Sequence, residues 1–194
     1  MRVIAGTARS VRLDAPKGND TRPTTDKIKE TLFNILQFDI PGGVFVDFFS
    51  GSGAMGIEAL SRGASKALFI EHGREACDCI RKNLERCHLA DKAVLMKTEA
   101  LAAAARVRAY QEDGCDTIFF MDPPYDQGLE YPVLRKLCED GCIRGCDLII
   151  IEKSLNSETM EELRECAEEL GLEICREKEY KTQKHVFLRK GVQQ

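Results

Sequence analysis

Apolar and polar positions along this chain alternate between two periods. Short apolar runs at 44–49, 66–71, 93–97, 116–121 and 147–151 read as buried strands. Between them, stretches at 53–62, 74–88, 99–110, 129–139 and 157–170 place apolar residues at helical spacing. Ahead of this series, Arg2 to Ala5 and Val11 to Leu13 read as a hairpin or a pair of short strands. A loop follows over Asp14 to Pro23. A helix then starts near Thr24 or Thr25 and runs through Ile28, Leu32, Ile35 and Leu36 to the stop at Pro41-Gly42-Gly43. Two last strands, near 172–178 and 184–189, are separated by a short turn and are expected to form an antiparallel edge.

Strands that alternate with helices predict an α/β fold, a doubly wound and mostly parallel sheet of Rossmann-like type. The chain shows no repeat, linker or low-complexity tract. Residues 1–194 are therefore expected to form one domain, with 1–23 as an N-terminal hairpin and loop extension. In such sheets ligands bind beyond the carboxyl ends of the strands, where the strand order reverses. The turns after the first and fourth main strands are the places to look.

The turn after the first strand is glycine-rich. Val44-Phe45-Val46-Asp47-Phe48-Phe49 runs into Ser50-Gly51-Ser52-Gly53-Ala54-Met55-Gly56 and then into a helix. Gly51 and Gly53 let a ligand approach the backbone and a helix N-terminus. Gly51, Gly53 and Gly56 also satisfy G-x-G-x-x-G, so a nicotinamide cofactor has to be weighed against S-adenosylmethionine. Glu71 ends the next strand, 20 residues after Gly51, where an acid grips a ribose in either case. Asp47 discriminates better, because an acid four residues ahead of the first glycine resembles the methyltransferase pattern D-x-F-x-G-S-G and would meet the ammonium of S-adenosylmethionine, which NAD lacks. Tyr180 and Lys184 have the Y-x-x-x-K spacing of some oxidoreductases. They fall in a strand segment, where positions i and i+4 lie roughly 13 Å apart.

The turn after the fourth strand is Asp122-Pro123-Pro124-Tyr125. The prolines have no N–H and leave free carbonyl acceptors. An ionised Asp122 only accepts hydrogen bonds, and Tyr125 offers a ring for stacking. Acceptors beside a ring suit an exocyclic amine on a planar base, and the motif resembles the D-P-P-Y of amino-group methyltransferases.

Composition narrows the partners. Hydrophobic residues make up 43% of the chain and charged residues 31%, the balance of a soluble globular domain. No apolar run approaches the roughly 20 residues that span a membrane. Met1 to Gly6 has no signal-peptide core. The nine cysteines, an odd number, then point to a reducing cytoplasm. Cys138, Cys142 and Cys146 form C-x3-C-x3-C, which matches no zinc spacing, so no metal is expected. His72, His88 and His185 form no ligand spacing and read as structural or surface groups. Net charge is -4, yet segments 1–29 and 176–190 each carry a net +4. Positive charge at the two ends predicts a basic rim if both fold to one side.

The order of segments adds a resemblance. M-R-V-I-A-G-T-A-R at 1–9, R-P-T-T-D-K-I-K-E-T-L-F-N-I-L at 22–36, D-F-F-S-G-S-G-A-M-G-I-E-A-L-S-R-G at 47–63 and M-D-P-P-Y at 121–125 are similar to the RsmD family. Those enzymes are bacterial 16S ribosomal RNA guanine-N2 methyltransferases. The resemblance implies that Asp122, Pro123, Pro124 and Tyr125 hold the target base. It implies that Asp47, Gly51, Gly53, Glu71 and Glu99 hold S-adenosylmethionine. Arg22 and Thr24 would border the pocket. From the net +4 of the N-terminal segment, Arg2, Arg9, Arg12 and Arg22 are expected to meet RNA. The implied partner is 16S ribosomal RNA, free or within an assembling or assembled small subunit. Two positions depart from the family: His72-Gly73 after Glu71, where an acid or amide is common, and Glu99 in place of a shorter Asp or Asn. A DNA adenine-N6 methyltransferase and a non-catalytic nucleotide-responsive binding protein are the alternative readings.

Overall fold

The computed structural model describes residues 1–16, 26–124, 127–155 and 159–191. Its centre is one seven-stranded sheet. The strands are β1 (Val44–Asp47), β2 (Lys66–Glu71), β3 (Ala93–Lys97), β4 (Thr117–Met121), β5 (Leu148–Ser154), β6 (Leu172–Glu179) and β7 (Gln183–Lys190). Their order is β3-β2-β1-β4-β5-β7-β6. The first five pair in parallel, and β7 enters antiparallel between β5 and β6. The strand order therefore reverses between β1 and β4, as the doubly wound expectation requires.

Among the described residues six α-helices cover the two faces: α1 (Asp26–Ile35), α2 (Ala54–Ser61), α3 (Arg74–Cys87), α4 (Ala100–Val107), α5 (Glu130–Glu139) and α6 (Thr159–Glu169). Leu32, Phe33, Ile57, Leu60, Ile80 and Leu84 of α1–α3 pack on one face with Phe45, Phe69 and Phe120. Ala103, Val107, Val133, Leu137 and Leu163 of α4–α6 pack on the other with Val46, Leu68 and Phe119. Alternate residues of each strand thus serve opposite cores, which is why the strands read as continuous apolar runs. The rings of Phe33, Phe45 and Phe120 stack at 5.9 and 6.2 Å across α1, β1 and β4.

Several boundaries differ from the sequence expectation. β1 ends at Asp47 rather than residue 49, because the glycine turn peels away there. α4 stops at Val107 and tightens into a 3₁₀ turn over Arg108–Tyr110. β5 runs on to Ser154, since β7 supplies partners as far as Gln183. The N-terminal hairpin is reduced to one antiparallel bridge, Arg2 to Arg12, around a turn with Gly6 at φ +83°. This segment contributes more than a surface extension does. Val3, Ala8 and Leu13 are buried in the α1–α3 core. Glu58 of α2 accepts the N–H groups of Ile4 and Ala5 at 2.8 and 3.1 Å.

Candidate active site

Two turns meet at the carboxyl ends of β1 and β4. The β1–β4 register sets Asp47 opposite Phe120, so Asp122 lies two residues further along the neighbouring strand, on the same face. After Asp47 the chain keeps two sheet-like bonds, Phe48 N–H to Phe120 O at 3.0 Å and Ser50 N–H to Ile70 O at 3.1 Å. The Ser50 hydroxyl donates back to Asp47 O at 2.9 Å. Gly51 and Gly53 then take φ +52° and +78°, left-handed conformations that glycine adopts without penalty.

The three glycines have different jobs. A Cβ on Gly51 would meet nothing within 4 Å, so this position opens onto the crevice. A Cβ on Gly53 would stand 3.2 Å from Ile80 and 3.3 Å from Phe69, and one on Gly56 only 2.4 Å from Phe69. Gly53 was expected to leave room for a ligand. Its missing side chain instead lets α2 seat on the core, and only its backbone can face a ligand. Gly53 caps α2 without any side-chain hydrogen bond, so the helix N-terminus is bare of side-chain acceptors.

Asp47 is the most unusual group here. It is 1% exposed, and among the described residues neither carboxylate oxygen accepts a hydrogen bond. Burial pushes its pKa up to about 7, and the charge of Glu71 adds to the rise. The amides of Gly56 and Phe49 pull it down without reaching hydrogen-bonding geometry. Glu71, by contrast, is committed: it accepts Gly51 N–H at 3.0 Å and Gly73 N–H at 2.7 Å. It splints the glycine turn to the end of β2. His72 leaves the fold at this point with its ring exposed, 3.5 Å from Glu71. Glu99 is exposed at the start of α4, after β3, on the same edge of the sheet.

Asp122 is half-buried, Pro123 buried and Pro124 exposed. Burial raises the Asp122 pKa well above the usual carboxylate range, and the charges of Glu152 and Asp47 raise it further. Tyr125, Arg22 and Thr24 lie outside the described residues. Of the basic N-terminal set, Arg2 pairs with Asp26 at 3.3 Å, while Arg9 and Arg12 are exposed and meet no carboxylate among the described residues.

The family model described as Conserved hypothetical protein 95 matches residues 1–189. The chain belongs to this family, the RsmD family. It is 35% identical over 157 residues to the Escherichia coli K12 protein named Ribosomal RNA small subunit methyltransferase D, covering 81% of this chain and 76% of that one. It is 40% identical over 127 residues to a Bacillus subtilis protein named "Putative rRNA methyltransferase YlbH", covering 66% and 68%. Among solved structures, "Putative methyltransferase yhhF" from Escherichia coli superposes with a TM-score of 0.77 at 30% identity, over 100% of this chain and 99% of that one. The fold is that of the class I S-adenosylmethionine-dependent methyltransferases.

Within this family fold, the sequence reading overlooked the far end of the acid row. Glu152 ends the apolar run of β5 as Asp47, Glu71 and Asp122 end theirs, a signal visible in the sequence. It is 3% exposed and touches His185 and Gln183 of β7. The cysteines carry no such signal. Cys142 is buried and Cys146 exposed, all nine are free thiols, and no metal-holding cluster occurs among the described residues. Among the same residues no helix is long and apolar enough to cross a membrane.

Proposed function

We propose that the protein transfers a methyl group from S-adenosylmethionine to the exocyclic N2 amine of a guanine in small-subunit (16S) ribosomal RNA, in the cytoplasm. The observation that carries this reading is the meeting of the glycine turn and the D-P-P motif at the β1–β4 switch point, with a buried acid there that has no partner among the described residues. The names of the relatives support ribosomal RNA as the substrate class.

The residues present fit the cofactor. Asp47 has two buried oxygens in need of donors, which an ammonium group supplies. Gly51 leaves open space beside the backbone, and Glu71 and Glu99 stand on the same edge for the nucleoside. The cofactor supplies a methyl already activated on a sulfonium, so the protein needs no metal or covalent intermediate for this reaction.

What remains for the chain is positioning. The N2 amine is a weak nucleophile because its lone pair is delocalised into the ring. Asp122 and the Pro123 carbonyl accept its two hydrogens, which favours pyramidal nitrogen and aims the lone pair. Holding reactants in line removes up to about 7–11 kcal/mol of entropic cost. Tyr125 stacks on the base once it is flipped from its helix. Removing one such preorganised contact costs on the order of 2.7–4 kcal/mol of barrier. Asp122→Ala is therefore expected to lose about a hundredfold to a thousandfold in methyl transfer, and Asp122→Asn, which keeps an acceptor, much less.

The deciding experiment maps N2-methylguanine in 16S ribosomal RNA from cells with and without the protein, and tests naked RNA and small subunits as substrates in vitro. Loss of one guanine modification in the deletion strain, restored by wild type and not by Asp122→Ala, is the expected result. Methylation of adenine in DNA instead, or no methyl transfer at all, would overturn the reading.

A further inference from the structure

Asp122 does not stand alone at the end of β4. The β4–β5 register pairs Phe120 with Ile150 and Met121 with Ile151. Carried one residue past the end of β4, the same register brings Asp122 towards Glu152, on the same face of the sheet. β7 extends the row, with His185 as the register partner of Glu152. Glu152 Oε1 accepts from Gln183 Nε2 at 2.5 Å, and Oε2 lies 3.0 Å from His185 Nε2. An ionised carboxylate only accepts, so His185 Nε2 carries the proton towards it. Nδ1 is 3.1 Å from the Tyr180 hydroxyl, which can donate to it. Glu152 and His185 are 3% and 0% exposed.

Such a row needs a reason. Burying Glu152 and His185 costs desolvation that a pair of apolar side chains would avoid. Nothing in the sheet requires a carboxylate at this position, since β5 and β7 pair through their backbones. The buried charge does have one consequence at the site: it faces Asp122. The groups around Asp122 are Asp47 from β1 and Glu152 from β5, both acidic, with Gln183, His185 and Tyr180 behind Glu152. Two neighbouring acids in a poorly hydrated site do not both ionise freely, and their titrations are linked.

We propose that Glu152, held by Gln183 and His185, is a positioning residue for methyl transfer that sets the charge on Asp122. The proposal rests on Asp122 being the acceptor of the target amine. Burial, and then the charges of Glu152 and Asp47, raise the pKa of Asp122, while Gln183 and His185 hold Glu152 in place. Positive charge from a bound cofactor beside Asp122 would favour its ionised form. An empty site is spared two adjacent buried charges.

The test is the pH profile of single-turnover methyl transfer to small-subunit RNA. Glu152→Gln keeps the size of the side chain and an acceptor oxygen but removes its charge. The acid limb of the profile should move down by at least one pH unit, a tenfold gain in rate at a fixed pH on that limb. Glu152→Asp keeps the charge and should move it far less. A second readout needs no turnover. The ¹³C-carboxyl titration of Asp122 in the ligand-free protein, assigned by its loss in Asp122→Asn, should shift down in Glu152→Gln as well. If Glu152→Gln fails to fold, the double variant Glu152→Gln/His185→Gln replaces the hydrogen-bonded carboxylate and imidazole by two amides and must shift both readouts the same way. An unchanged limb and an unchanged titration in a folded variant would overturn the proposal. Should wild type methylate no RNA, the functional reading fails, while the titration still reports on the pair.

Discussion

Two buried carboxylates on either side of the glycine turn, Asp47 at the end of β1 and Glu58 within α2, show how differently this fold treats charge. Glu58, inside α2, is fully buried and fully partnered. It meets Lys29 Nζ at 3.1 Å and Arg62 Nε at 2.8 Å, and accepts two N–H groups of the N-terminal segment. Asp47, just ahead of α2, is as deeply buried and accepts nothing among the described residues. The first is a structural acid, in which donors offset desolvation. The second carries an uncompensated desolvation cost, which on the proposed reading a ligand with its own donors would relieve.

The comparison breaks most visibly at Glu58. Lys29 is also fully buried, and burial lowers its pKa against the opposing pull of Glu58. Glu58→Ala would strand that ammonium and free the N–H groups of Ile4 and Ala5. Losing one partner of a buried pair costs about 3–5 kcal/mol. Denaturant unfolding should show that loss, and Lys29→Met/Glu58→Gln should recover more than half of it. Equal destabilisation in the double variant would mean that the charge pairing is not what matters.

At Asp47 the sign reverses. Its carboxyl titrates near 3.8 in the unfolded chain and near 7 in the fold, so the folded state binds more protons between those values. Stability contributed at this site therefore falls as pH rises from about 4 to about 7, and the cost persists above 7. At 1.36 kcal/mol per pH unit the full cost is on the order of 4 kcal/mol. Asp47→Asn should raise the melting temperature of the ligand-free protein at pH 8, and much less at pH 4.5. It should also abolish the stabilisation by S-adenosylmethionine that is expected of wild type. A variant that melts lower at pH 8 would place Asp47 with Glu58 among the structural acids.

The same contrast explains what the sequence could convey. Asp47, Glu71, Asp122 and Glu152 close the apolar runs V-F-V-D, L-F-I-E, F-F-M-D and I-I-I-E, and the first three stand out in the sequence as candidate site residues. Glu152 was missed because its meaning depends on β7, which returns antiparallel from 33 residues away. Glu58 was equally opaque, since it looks like an ordinary polar position in a helix until Lys29 and the N-terminal turn close over it. The parallel core was legible because both faces of each strand are apolar. The insertion of β7 between β5 and β6 was not, because a hairpin's two strands can add to a sheet edge in either order. At Gly53 the reason for the glycine was misread: its Cβ direction points to Phe69 and Ile80 rather than to the crevice. Gly51→Ala is thus the cleaner probe of the ligand face, although its φ of +52° adds some strain.

The smallest expected effect sharpens the comparison at the surface, where cations are either paired or spare. Arg86 is held by Asp14 at 2.7 Å, and Arg2 by Asp26. Arg9 and Arg12 are exposed on the same N-terminal turn with no ion pair among the described residues. A paired arginine gains little from a phosphate, because it must give up its carboxylate. A spare one gains the release of condensed counterions. Each phosphate contact adds about 0.7–0.9 to the slope of log binding constant against log salt. Neutralising both, as Arg9→Gln/Arg12→Gln, should therefore flatten the slope by about 1.4–1.8 and weaken RNA binding, with cofactor affinity and melting temperature unchanged. Arg86→Gln should leave the slope as it is and barely change stability, as is usual for an exposed pair. Equal slopes in the double variant and wild type would return Arg9 and Arg12 to the role of solvated surface charge.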